Sequence, residues 1–179
     1  MLSGRKIHEE ATNKRILIDP FNASQLQPHS YDICLGGELY EVSNNAQYAL
    51  GSPYIDSRKP GDGIEQALTD DGAFFIYPGT LYIGHTVEII HTDLYAPRID
   101  GRSSLGRYGG GIHVTAGFID AGFRGQVVLE IFNLTSFPLK VWPGDRVGQI
   151  SFEPIQGTVD LYQSGYNGQI GARLSKGLV

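Results

Sequence analysis

Glycine and proline punctuate this chain so often that a long helix has almost nowhere to form. The 179 residues carry 24 glycines and 9 prolines, and the stretches between them are short and rich in Val, Ile, Tyr and Phe. Glycine weakens a helix interior and proline breaks one. Brief β-branched and aromatic runs bounded by turn residues form strands instead. The exception is at the start, where Ser3 is placed to cap a short helix over Gly4–Thr12. Beyond it the pattern predicts strands at Tyr31–Leu35, Glu38–Val42, Gly72–Ile76, Thr80–Ile90, Tyr95–Asp100, Ile112–Val114, Gly117–Phe118, Gln126–Asn133, Leu139–Val141, Arg146–Glu153 and Thr158–Leu161. The expected fold is mainly β, a barrel or sandwich with one N-terminal helix. The length suits one domain, 1–179, with a real core. Residues 43–71 are polar and patternless, so that segment either packs on the surface or carries small strands of its own. The tail, Gln163–Val179, has four glycines and no periodicity. Its default is disorder; its functional alternative is a lid that orders over a ligand.

The formal net charge is −5. That argues against a broad nucleic-acid surface, which needs a basic face to neutralise phosphates, but leaves room for a small anion held by a few arginines. The single cysteine, Cys34, excludes an intrachain disulfide and a multi-cysteine metal site. His8-Glu9-Glu10 fits the H-x-E of zinc nucleobase deaminases, yet the P-C-x-x-C that completes their zinc site is missing. There is no G-x-x-x-x-G-K-[ST] loop and no G-x-S-x-G elbow. The polar, charged start reads as neither signal peptide nor anchor, and no apolar run nears the ~18–20 residues of a bilayer span. The expectation is a cytoplasmic protein with no membrane partner.

Chemistry concentrates between Gly101 and Glu130, GRSSLGRYGGGIHVTAGFIDAGFRGQVVLE. Arginines and small hydroxyls beside glycine-rich turns suit a polyanion. In a strand over Gln126–Asn133, Val127, Leu129 and Ile131 share one face, and Glu130 points to the other with Gln126, Val128 and Phe132. Glu130 is then either a solvent-exposed strand glutamate or a cleft-facing carboxylate able to shuttle protons. Asp120 is either a turn-stabilising carboxylate or a group that orients a sugar hydroxyl or water. His29 and His113 read as structural or surface residues.

Four ordered blocks resemble the dCTP deaminase branch of the trimeric dUTPase superfamily: QPHSYDICLG at 27–36, GRSSLGR at 101–107, HVTAGFID through GFRGQVVLE at 113–130, and WPGDRVGQI at 142–150. The resemblance covers nearly the whole chain except residues 43–71. It implies a distorted β-barrel and a homotrimer, with active sites between subunits and residues 163–179 folding over the nucleotide. It also implies magnesium on the triphosphate and no zinc. By the resemblance, Glu130 is the catalytic base. Ser103 and the backbone carbonyl of Ala116 hold the attacking water, and Arg107 is an essential arginine supplied across the interface. Arg102, Ser103 and Ser104 contact phosphate, Asp120 lies near the deoxyribose, Gln149 lies near the phosphates, and Tyr166 and Gln169 belong to the tail pattern KYxxQxG. His113, Val114 and Thr115 align with a segment that rearranges when dTTP binds as an inhibitor. Three departures stand out: Tyr108-Gly109-Gly110 where the family has LGL, Ala121 where it has proline, and Gly165 where the tail has lysine, with Arg173 or Lys176 as candidate substitutes. The activity implied is zinc-independent hydrolytic deamination of dCTP to dUTP and ammonia. The alternatives are a bifunctional enzyme giving dUMP and pyrophosphate, a dUTPase alone, and a nucleotide-binding trimer without turnover.

Overall fold

The computed structural model describes residues 1–43, 54–113 and 116–178. Helix α1 spans Gly4–Thr12, as its cap predicts: the Ser3 side chain accepts a hydrogen bond from Lys6 N. Its buried face carries Ile7 and Glu10. Glu10 is 1% exposed and bound by Arg15 through Nε and Nη2, at 2.5 and 2.6 Å, with Lys6 Nζ at 3.0 Å. A buried carboxylate survives only when so paired. The Arg15 hydrogen bonds hold the Glu10 carboxyl at about 2, below its ordinary 4.5, against the opposing effect of burial. A carboxyl depressed by folding stabilises above its unfolded pKa, and that contribution fades as pH falls toward the folded one. The melting temperatures of the native chain and Glu10→Gln should therefore differ most above pH 4.5 and converge between 4.5 and about 2; thermal melts across that range check it.

Strands follow as β1 Leu17–Asp19, β2 Tyr31–Cys34, β3 Tyr40–Val42, β4 Gly63–Glu65, β5 Phe74–Ile76, β6 Leu81–His91 and β7 Tyr95–Gly101. A four-residue helix α2, Ser103–Gly106, leads into β8 Gly110–Ile112, β9 Arg124–Asn133, β10 Leu139–Val141 and β11 Arg146–Pro154. All pairings are antiparallel. The largest sheet runs β4-β3-β6-β9-β8, with β1 also on β6; β2-β11-β7 form a second, and β10-β5 a third. The expected barrel is thus three separate antiparallel sheets around one core among the described residues. Tyr31, Ile33, Leu35, Tyr82, Leu129, Ile150 and Phe152 are its fully buried centre.

β9 shows the alternation expected of it: Val127, Leu129 and Ile131 are buried, and Gln126, Val128, Glu130 and Phe132 are partly exposed. Its partner β6 bulges between His85 and Ile89. There the Thr86 hydroxyl accepts from Val127 N at 2.9 Å, standing in for a ladder carbonyl. Across the bulge the pairing shifts by two residues, from His85 opposite Val128 to Ile89 opposite Gln126, so the two faces of β9 stay in phase.

Three sequence expectations are corrected. Thr158–Leu161 is not a strand; it follows the Ala121–Gly122 turn, tied by the single bond Tyr162 N to Ala121 O. Gly117–Phe118 makes only an isolated bridge with Arg98, because backbone contact is confined to the crossing with Pro97–Ile99. The eighth strand lies at Gly110–Ile112 rather than Ile112–Val114. Val114 and Thr115 fall outside the described residues, as do 44–53 of the patternless segment; its later part contributes β4. No helix among the described residues is long and apolar enough to cross a membrane.

Candidate active site

Glu130 sits two-thirds along β9, opposite Ile83 of β6. The apolar face of β9 anchors it in the core, so the side chain is carried on a rigid element and stays 27% exposed. Where β8 ends, His113 N donates to Glu130 O at 2.9 Å and the ring returns to the same residue, His113 Nδ1 lying 3.0 Å from Glu130 Oε2. A carboxylate accepts, so Nδ1 is the donor of this bond, which leaves Nε2 as the other ring nitrogen. That Nε2 is buried without a partner among the described residues. His113 also adopts φ +58, a left-handed conformation that costs a β-carbon residue energy. The strain and the double contact bind Glu130 to the segment that follows β8.

Both carboxylates face one cleft of about 500 Å³. Its polar lining includes His113, Asp120, Glu130, Tyr166 and Gln169, with Ala116 beside them; Ile83, Phe123, Val127 and Tyr162 form an apolar wall. Asp120 opens the turn closed by Phe123 N to Asp120 O at 3.2 Å, with Gly122 at φ +89. Proline is not needed there. Ala121 is buried, Gly122 N binds Thr92 O, and the Asp120 carboxylate has no hydrogen-bond or ion-pair partner among the described residues. It is exposed and available.

The tail departs from its default of disorder. Gln126 N donates to Gln169 O, Gln169 Nε2 to Gln126 O at 2.9 Å, and Gly171 N to Gln126 Oε1 at 2.7 Å. Gly168 N reaches Arg124 O, and Arg124 N reaches Asn167 Oδ1. The tail can lie this close because residue 125 is glycine: a Cβ there would stand 2.6 Å from Gln169 O. Residues 166–171 thus lie against the exposed edge of β9 beside the cleft. Gln169 Oε1 is buried without a partner among the described residues.

The remaining expected residues lie elsewhere on the chain. Arg102 and Ser104 line a separate depression of about 620 Å³ with Lys140, Trp142 and Arg146. Gln149, accepting from Ser30 Oγ at 3.0 Å, lines a third with His29. Ser103 and Arg107 are exposed at the two ends of α2 and line none of the three depressions. Within one chain, then, the structure unites Glu130, Asp120, His113, Ala116, Tyr166 and Gln169 and leaves out Arg102, Ser103, Ser104, Arg107 and Gln149. Sequence reasoning missed Asp32, which is 1% exposed and lies 3.4 Å from Arg102 Nε and 3.6 Å from Arg146 Nη1. Its signal was available, since Asp32 falls inside the QPHSYD block that was matched without giving this residue a role. Cys34 is not a nucleophile candidate: burial pushes its thiol up to about 11. No cluster of three His, Cys, Asp or Glu side chains that could hold a metal occurs among the described residues.

A family model described as dCTP deaminase-like matches residues 1–155. A protein of Streptomyces griseus subsp. griseus named "dCTP deaminase, dUMP-forming" is 36% identical over 185 residues, covering 98% of this chain and 94% of that one. A protein of the same name from Tropheryma whipplei (strain Twist) is 41% identical over 156 residues, covering 85% and 76%. Among solved structures, the 2'-deoxycytidine 5'-triphosphate deaminase of Agrobacterium tumefaciens superposes with a TM-score of 0.64 at 22% identity. That likeness of fold covers 89% of this chain and 49% of the solved one.

Proposed function

The chain belongs to the dCTP deaminase-like family, and we propose that it hydrolyses dCTP to dUMP, releasing ammonia and then pyrophosphate. One observation carries the reading: a strand-borne glutamate and an unpaired aspartate, Glu130 and Asp120, share a single cleft with an apolar wall. The dUMP product, rather than the dUTP expected from sequence, is favoured by relatives at 36% and 41% identity named as dUMP-forming. Asp120 supplies the carboxylate that a second hydrolysis needs.

The cytosine ring packs against Ile83, Phe123 and Val127, with its reacting carbon toward Glu130. Water is a poor nucleophile at neutral pH, so a placed base must activate it. Glu130 takes a proton from the water as its oxygen adds to C4. It passes the proton to the ring nitrogen and, as the tetrahedral adduct collapses, a proton goes to the departing amine. Ammonia leaves and uracil remains. His113 Nδ1 holds one Glu130 oxygen, which leaves the other to face the water. The Ala116 carbonyl and Ser103 fix that water in place. For the second step Asp120 activates another water against the α-phosphorus, and pyrophosphate departs. Magnesium enters as part of the substrate, on the triphosphate.

Arg102, Ser103, Ser104 and Arg107 act on this cleft from a neighbouring subunit, which accounts for their distance from Glu130 within one chain. The reading takes the assembly to be the homotrimer that the family resemblance implies. Light scattering should give three times the chain mass; a monomer with full activity would overturn the shared site. The function itself is tested with purified protein, dCTP and magnesium. Ammonia is measured and the nucleotides are separated: dUMP with pyrophosphate is the expected result, dUTP as sole product limits the enzyme to deamination, and no ammonia rejects the reading.

A further inference from the structure

The cleft that holds Glu130 and Asp120 has one arginine or lysine in its lining, Arg173. Its guanidinium makes no hydrogen bond or ion pair with any described residue, although two carboxylates line the same cleft. The backbone beneath it is nevertheless fixed. On one side Ala172 is buried and its N–H donates to Glu38 Oε2 at 3.1 Å. On the other, Gly61 N donates to Ser175 O at 2.7 Å, and Leu174 packs against Gly63. Arg173 is thus a free cation on an anchored segment at the mouth of a cleft.

The other cation of this segment is already committed. Lys176 Nζ donates to Gly165 O and sits 4.7 Å from the Tyr166 ring centroid, while Lys176 N donates to Tyr166 Oη at 3.0 Å. A Cβ on residue 165 would stand 3.1 Å from that ammonium. Lys176 therefore fills the space that a side chain at 165 would need, and its contacts brace the tail rather than line the cleft.

We infer that Arg173 is a substrate-binding residue that receives the phosphate chain of a nucleoside polyphosphate. The inference rests on the nucleotide reading of this cleft. A guanidinium offers a planar fork that matches phosphate oxygens, and it need not break an existing ion pair to do so.

The test is calorimetric, in the Glu130→Gln background so that nucleotide is not consumed. Arg173→Ala should weaken dCTP binding by about ten- to a hundredfold, the usual worth of a charged hydrogen bond. It should leave deoxycytidine unaffected, and Arg173→Lys should recover part of the loss. Unchanged dCTP affinity overturns the proposal. So does an equal loss for deoxycytidine, since that is what a merely disturbed tail would give. A Glu130→Gln protein that binds no dCTP, with a native chain that releases no ammonia, rejects the nucleotide reading and this proposal together. Native ammonia release with an unchanged Arg173→Ala rejects this proposal alone.

Discussion

Glu130→Gln, supplied with dCTP and magnesium, is expected to release ammonia about 10²- to 10⁴-fold more slowly than the native protein, the range general-base removal commonly costs. The amide has nearly the shape of the carboxylate but cannot take a proton at neutral pH. The fold around it should not change. Residue 130 is held by its β9 backbone, opposite Ile83 and bonded to His113 N, and neither contact involves the side chain. His113 Nδ1 keeps an acceptor, because the amide oxygen can take the place of Glu130 Oε2. dCTP should therefore still bind with near-native affinity, measured by calorimetry on the same sample. Native ammonia release from this variant would remove Glu130 from the chemistry. Loss of both release and binding would make it a structural residue.

The second large effect is on product identity. Asp120→Asn should still deaminate dCTP, with ammonia release within a few-fold of native, but should accumulate dUTP. Formation of dUMP and pyrophosphate should fall by about 10²- to 10⁴-fold, again the scale of a lost general base. The substitution is structurally mild because the turn uses the backbone of Asp120, through Phe123 N to Asp120 O, and the carboxylate bonds to nothing among the described residues. Chromatography of a time course separates the two products. If dUMP and ammonia decline in step, the carboxylate binds substrate and does not drive a separate hydrolysis. If dUMP forms at the native rate, Asp120 is not the second base.

Where structure follows from near neighbours, the sequence was sufficient. Ser3 and the residues after it produced helix Gly4–Thr12, because a cap and a short periodic face are local matters. The alternation of Val127, Leu129 and Ile131 placed Glu130 on the less buried face of its strand, and the structure has it there. It left open whether that face met solvent or a cleft. The answer depended on Asp120, His113 and the tail arriving beside it from distant parts of the chain. The sequence left the tail open between disorder and a lid for the same reason. Its glycines give no periodicity, and its order comes from Gln126 bonding to Gln169 and Gly171, residues more than forty positions away. Thr158–Leu161 had the composition of a strand but found no strand to pair with.

Taken by itself, the sequence determined a mainly β fold with one capped helix, no multi-cysteine metal site, and two carboxylates close to a glycine-rich, arginine-bearing block. Those properties are set by residue type and short spacing. Only the tertiary structure decided that Glu130, Asp120 and His113 share one cleft, that the tail lies beside it, and that Arg102, Ser103, Ser104 and Arg107 stand apart from it within the chain. It also decided that Lys176 is bound to Gly165 while Arg173 has no partner among the described residues. The physical reason is that pairing across sheets and ion-pair choice depend on which surfaces meet. Ten residues of sequence fix a turn or a face, but they carry no record of the segment that will pack against it.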